Sequence, residues 1–298
     1  MTQILANLNP ADYEHEMDKA ALDKVKAIPL VPSVVNFILN WTVIRSSIIA
    51  LCGTNFHVTK EACPDLFKLA KNVTDTLDMT KLPDLYIQQG YYINAYTTGH
   101  QGDAYIVVST GAVDKLTDKE LSFVIGHETG HIKSGHVLYH VMAAQLGQII
   151  QSSGIPLVAT IAGPALMYWN RMSEFTADRA GLLACQDLNV ALSAIMKMSG
   201  LPEKYFTKSS IEGFMKQARE FDNEYSNVPD TVLKVLDVLD NDHPWTIKRA
   251  AELIKWYDSG EYDRIIKKCE PKICKCCGKA VTKDTVVCPV CSGKVFSL

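Results

Sequence analysis

The stretch Thr117-Asp118-Lys119-Glu120-Leu121-Ser122-Phe123-Val124-Ile125-Gly126-His127-Glu128-Thr129-Gly130-His131 decides how the rest of the chain is read. It opens on Thr-x-x-Glu, the pattern of a capping box: Thr117 caps a helix and Glu120 returns to its amide. Leu121, Val124 and Ile125 follow at helical spacing, so the predicted helix runs on through His127 and His131. Residues four apart share one helix face. The two imidazoles can therefore turn toward a single ion, with Glu128 beside them to take a proton from water held there. Such a pair supplies two of the three protein ligands that an open catalytic metal site needs.

A third ligand stands downstream. Ser173-Glu174-Phe175-Thr176-Ala177-Asp178-Arg179-Ala180-Gly181 sets two carboxylates four apart on another predicted helix. One can bind the metal, and the other can accept a hydrogen bond from the far nitrogen of a ligand histidine. Alone, Glu-x-x-x-Asp is common on solvated helices. Its weight comes from following His-Glu-x-x-His. Between the two, residues 134–170 contain no Asp, Glu, Lys or Arg. Ser152-Ser153-Gly154 and Pro156 predict a turn there, and thus a helical hairpin beside the site. Its arms of about 15 residues would be roughly 22 Å long, short of a hydrocarbon core of about 30 Å. The expected hairpin is packed or in contact with a membrane, and a spanning one stays open.

Upstream, residues 85–87, 92–98 and 104–109 read as short strands, separated by Gly90 and by the turn-forming residues 99–103. Residues 59–77 read as a helix interrupted near Pro64. Residues 31–52 are mostly apolar. Asn36, Asn40, Arg45, Ser46 and Ser47 interrupt them, so a buried or interface helix is expected rather than a membrane span. After Glu174 come further helices. One is stopped by Gly200-Leu201-Pro202, and the last is opened by His243-Pro244 and continues to about Tyr257. The expected class is α+β, mainly helical, with a small antiparallel sheet.

The composition then changes to a basic, cysteine-rich tail. Cys274-x-x-Cys277 and Cys288-x-x-Cys291 have zinc-ribbon spacing, in which four thiolates close a tetrahedron around one structural Zn²⁺. So short a stretch has little core of its own, and the metal would supply most of its folding energy. Cys269 and Cys276 are surplus to the four. The expected division is a catalytic domain over 1–264 and a Cys₄ zinc-ribbon-like module over 265–298. A net charge of -3 argues against nucleic acid as the main partner of the whole molecule. The start of the chain lacks the basic, apolar and small-residue regions of a secretory signal. Nine cysteines, an odd number, favour thiols in a reducing compartment. A cytoplasmic location is expected, with membrane association through 134–170 and self-association both open.

Four blocks, in order, resemble the M48 family of zinc metallopeptidases, the gluzincins that include HtpX-like and CAAX-prenyl (Ste24-like) proteases. They are Asn94-Ala95-Tyr96-Thr97-Thr98-Gly99; His127 through His136; Glu174 through Gly181; and His243-Pro244 with Arg249. The resemblance extends over about residues 20–257. It implies a gluzincin-type core and a zinc ion held by His127, His131 and Glu174. Glu128 becomes the general base and Asp178 the partner of a ligand histidine. His243 and Arg249 would face substrate and steady the tetrahedral intermediate, and Asn94 and Ala95 would align the substrate backbone. His136, five residues past His131, is expected to be structural or to support a ligand rather than to bind metal. Trp245 stands where a proline is common, and the multi-span membrane architecture of HtpX-like and Ste24-like members is missing. The expected function is endopeptidase action on a peptide or protein, with one catalytic and one structural zinc. The alternative is a non-catalytic metal-binding module that recruits a protein or nucleic acid through its ribbon.

Overall fold

The computed structural model describes residues 2–28, 42–100, 103–143, 156–224, 246–282 and 286–294. Helices α1 (Pro10–Tyr13), α2 (Glu16–Ala27) and α3 (Thr42–Thr54) lead to strand β1 (Phe56–His57) and helix α4 (Pro64–Thr76). Strands β2 (Asp84–Gln88), β3 (Ala95–His100) and β4 (Asp103–Ser109) follow. Then come α5 (Thr110–Lys115), α6 (Asp118–Lys133), a helical stretch at 137–143, and α7 (Pro156–Cys185). The chain continues with α8 (Leu188–Met198), α9 (Lys208–Glu224), α10 (Thr246–Asp258) and α11 (Glu261–Lys268), and ends in the two-stranded pair β5 (Pro271–Ile273) and β6 (Ala280–Thr282).

Helix α6 starts as its capping box predicts. The Thr117 hydroxyl accepts from the Glu120 amide at 3.4 Å, and Glu120 Oε2 accepts from the Thr117 amide at 2.7 Å. The same carboxylate takes the buried Lys197 ammonium at 2.9 Å, which ties α6 to α8. Helix α4 begins at Pro64 itself, where the missing N–H would be unpaired in any case.

The four-stranded sheet has the order β1-β2-β4-β3 and is mixed rather than antiparallel throughout. β1 and β2 are antiparallel, as are β3 and β4, but β2 and β4 run parallel. The reason is topological. β3 turns straight back onto β4 and takes the edge, so β4 returns beside β2 in the same direction. Along β4 the side chains alternate: Ile106 and Val108 enter the main core with Leu85, while Val107 packs on the opposite face with Tyr86 and Leu51.

One expectation narrows and another changes. Of the apolar segment 31–52, residues up to 41 lie outside those described. In the rest, Leu51 is buried against the sheet while Ile49 is 64% exposed, so of the two arrangements expected α3 is not the fully buried one, and the interface one stands. The second arm of the charge-free hairpin and the helix bearing Glu174 form one element of 30 residues, α7, which continues through Pro164. A single proline removes one backbone hydrogen bond and can bend a helix without ending it. The predicted turn at 152–156 lies largely outside the described residues. Its two flanks, 137–143 and α7, pack against α2 through Leu22, Val25, Met142, Leu166, Trp169 and Phe175. Among the described residues, no helix is long and apolar enough to cross a membrane.

Helix α11 straddles position 264/265. Tyr262, Ile265 and Cys269 lie in the main core, and the Ala6 amide donates to the Cys269 carbonyl at 3.0 Å. A separate small cluster follows, built from Cys274, Val281 and Cys288. Its hairpin pairs β5 with β6 across the first cysteine knuckle.

Candidate active site

The site exists because α6 and α7 touch backbone to backbone. A Cβ at Gly126 would come within 2.4 Å of the Ala184 Cβ, and one at Gly130 within 2.5 Å of the Ala180 Cβ. Glycine at both positions lets the helices close to a distance at which Glu174 on α7 reaches His127 and His131 on α6. All three side chains are buried.

Their donor atoms converge. His127 Nε2 and His131 Nε2 are 3.2 Å apart; Glu174 Oε2 lies 3.5 Å from the first, and Glu174 Oε1 lies 3.2 Å from the second. A tetrahedral zinc with bonds of about 2.0–2.1 Å has ligand–ligand edges of about 3.3 Å. The two imidazole nitrogens and the Glu174 carboxylate, which turns one oxygen toward each, match that spacing. The donor chemistry fits too, since two imidazole nitrogens and a carboxylate are the ligand set of an open catalytic zinc site. The other imidazole nitrogens turn away: His127 Nδ1 toward Asp178 Oδ1 at 3.0 Å, and His131 Nδ1 toward His136 Nδ1 at 3.1 Å.

Asp178 is the meeting point of a buried network. Arg249 Nε donates to Asp178 Oδ2 at 2.8 Å and its terminal nitrogen to Oδ1 at 2.6 Å, while a second terminal nitrogen lies 3.5 Å from Glu174 Oε2. Burial alone would raise the Asp178 carboxyl, but the Arg249 guanidinium, helped by His127, outweighs it and holds the group below its ordinary value. Burial likewise opposes charge on His127. Glu174 and Asp178 overcome it and raise that imidazole above its ordinary value. Arg249, expected to face substrate, is only 3% exposed and stands behind the ligands. A guanidinium so placed is stable because two carboxylates compensate it.

Glu128 is held by the sheet. Thr97 Oγ1, on edge strand β3, donates to Glu128 Oε2 at 2.6 Å and lies 3.2 Å from the Glu128 carbonyl. Asn94 and Ala95 sit at the start of the same strand, with Asn94 exposed and Ala95 half-buried and paired with Val108. His243 lies outside the described residues. Thr97 was within the quoted Asn94–Gly99 block, and strand alternation sets it two residues from Ala95 on the same face. That signal could have found it.

In the tail, Cys274, Cys277, Cys288 and Cys291 bring their sulfurs together, with Cys274–Cys291 and Cys277–Cys288 each at 3.6 Å. Zn–S bonds of about 2.3 Å give tetrahedral edges of about 3.8 Å, so these four also fit a metal. Cys276 is exposed, and Cys269 lies in the main core.

The chain is similar in sequence to several known peptidases. The 29% identity to the plastoglobule-localized metallopeptidase 48, chloroplastic, of Arabidopsis thaliana extends over 272 residues, 90% of this chain and 79% of that one. Protease HtpX homolog 2 of Methanosarcina mazei is 26% identical over 230 residues, 66% of this chain and 74% of its own. A Protease HtpX homolog of Streptococcus gordonii is 24% identical over 63% of this chain and 61% of its own. No solved structure matches. The model of peptidase family M48 matches residues 64–257, which contain the His-Glu-x-x-His helix, Glu174, Asp178 and Arg249, and on that span the chain belongs to peptidase family M48.

Proposed function

We propose that this family member is a zinc-dependent endopeptidase that cleaves peptide bonds with Glu128 as general base. The observation that carries the reading is the triangle of His127, His131 and Glu174 donors at zinc-ligand spacing, with Glu128 on the same helix. Zinc in that triangle supplies Lewis acidity, polarising a carbonyl and acidifying water. The chain's own residues do the rest. Glu128 takes the proton of the attacking water and returns it to the leaving amine. The Thr97 hydroxyl fixes one Glu128 oxygen and leaves the other to the reaction. β3 lies at the sheet edge, where an extended peptide can add as a further strand alongside Asn94 and Ala95. His243 is assigned to steadying the oxyanion. Arg249 is assigned to holding Asp178 and Glu174 in place.

A second zinc is assigned to the four tail cysteines. The exposed Val286, Val287 and Val290 beside them suit docking of a protein partner. Nine unpaired cysteines are consistent with a reducing, cytoplasmic setting.

The test is hydrolysis of an unfolded protein and of quenched fluorogenic peptides by the purified full-length chain. Activity should vanish on treatment with a metal chelator and return with stoichiometric zinc. A protein that retains zinc at both centres and cleaves neither kind of substrate would favour the non-catalytic alternative.

A further inference from the structure

Behind His131 runs a buried chain of groups that the hydrolytic step does not use. It begins on α2, outside the matched residues 64–257, at Asp18, which is fully buried. Asp18 accepts from the Trp169 indole nitrogen at 2.8 Å and from the Thr176 hydroxyl at 2.6 Å. Its Oδ2 also lies 3.2 Å from His136 Nε2. His136, 1% exposed, faces His131 through the Nδ1–Nδ1 contact of 3.1 Å. His131 Nε2 then points at Glu174 and His127.

One assignment of the hydrogen bonds in this chain suits metal binding by His131. An indole N–H can only donate, so Asp18 is an acceptor. Burial would raise its carboxyl, but His136, Thr176 and Trp169 outweigh that and hold it below the ordinary value. An ionised Asp18 accepts from His136 Nε2–H. In the neutral tautomer that carries its proton on Nε2, His136 offers a bare Nδ1 that can accept. The atom facing it, His131 Nδ1, must then bear the proton. That leaves the lone pair of His131 on Nε2, the atom aimed into the ligand triangle. His127 reaches the same state more directly, by donating from Nδ1 to Asp178.

We propose that Asp18 and His136 are positioning residues that fix the tautomer and orientation of His131, so that the N-terminal helix α2 is a working part of the metal site. The inference rests on His127, His131 and Glu174 holding an ion. Each ligand histidine is then supported by a carboxylate, one by contact with Asp178 and the other through an intervening imidazole. Support of this kind raises ligand basicity, and its loss costs about 10–100-fold in metal affinity.

The test is a competition titration of the full-length chain with cobalt against a chromophoric chelator, comparing wild type with His136→Asn and His136→Leu. An asparagine carbonyl can occupy the place of His136 Nδ1 and accept the His131 proton; leucine fills the volume but cannot accept. His136→Asn should keep affinity at the His/Glu site within about threefold of wild type, and His136→Leu should lose about 10–100-fold. The thiolate-to-cobalt absorption of the cysteine site should be the same in all three, and the melting temperature of the metal-free chain reports the fold around His136. Wild-type affinity in His136→Leu would overturn the proposal, as would equal losses in both variants, since packing alone would then explain them. A third cobalt in wild type, absent from His136→Leu, would also overturn it, because His131, His136 and His140 would then be ligands of a further ion. If wild type takes up cobalt only at the thiolates, the ligand triangle itself is refuted, a result distinct from all of these.

Discussion

Arg249 carries two buried carboxylates, Asp178 by two hydrogen bonds and Glu174 at longer range, and this sets what a substitution there will do. Asp178→Ala removes the partner of a ligand histidine and also strands a buried guanidinium. Breaking one side of a buried pair costs about 3–5 kcal/mol, so the variant should lose stability of that order as well as metal affinity. Urea unfolding of the metal-free chain measures the first separately from the second. A loss below about 1 kcal/mol would place Asp178 among ordinary surface pairs and would undercut its role beside His127. A second residue gives a pH signature. Glu252 on α10 accepts from His15 at 3.4 Å and pairs with Lys248 at 3.1 Å. The His15 hydrogen bond, with help from Lys248, overcomes burial and holds its carboxyl at about 2. A depressed carboxylate contributes stability that is fully present above its unfolded value near 4.5 and is lost as pH falls toward 2. The melting temperature of wild type should therefore drop more steeply between those values than that of Glu252→Gln. Parallel curves would mean that His15 and Glu252 do not link α2 to α10 in this way.

The contact between α6 and α7 governs the site at the scale of elements, and Gly130→Ala tests it. Alanine would favour the isolated helix by about 1 kcal/mol. Its methyl group would meet the Ala180 Cβ, at 2.5 Å, and overpacking of this kind costs about 1–3 kcal/mol. The helices must separate, so both the melting temperature and affinity at the His/Glu site should fall. A variant more stable than wild type with unchanged affinity would show that the helices have room to spare. The start of α6 was legible because a capping box is a local pattern, and so was its course through the histidines, since both depend on residues within one or two turns. The extent of α7 was not: a Gly-Pro pair at 163–164 in an uncharged segment looks like punctuation, while in the fold the helix runs on and packs against α2 and residues 137–143 just beyond it. The parallel pairing of β2 with β4 was equally hidden, because strand signals give existence and not partner.

For the molecule as a whole, two metal centres of different chemistry are expected, one of two histidines and a carboxylate and one of four thiolates. Elemental analysis of chain purified without chelator should give about two zinc ions, and about one after deletion of residues 270–298. That cut spares α11, whose Ile265 belongs to the main core. A ratio unchanged by the deletion would refute the tail as a zinc module. Both side-chain clusters were legible in the sequence because their residues come in short, regularly spaced motifs. The groups around them were not. Asp18 reaches His136 across more than a hundred residues, Thr97 meets Glu128 only because β3 lies along α6, and Arg249 matches a family position while its partners are set by the fold. The most direct measurement is made on Glu128→Gln, purified in parallel with wild type, with zinc content and peptide hydrolysis determined on the same samples. Glutamine keeps the size and the Thr97 contact but cannot take a proton from water, and loss of a general base costs about 10²–10⁴-fold. The expected result is unchanged zinc and hydrolysis reduced by that factor; unchanged zinc with hydrolysis at the wild-type rate would contradict Glu128 as the base and, with it, the proposed chemistry of this site.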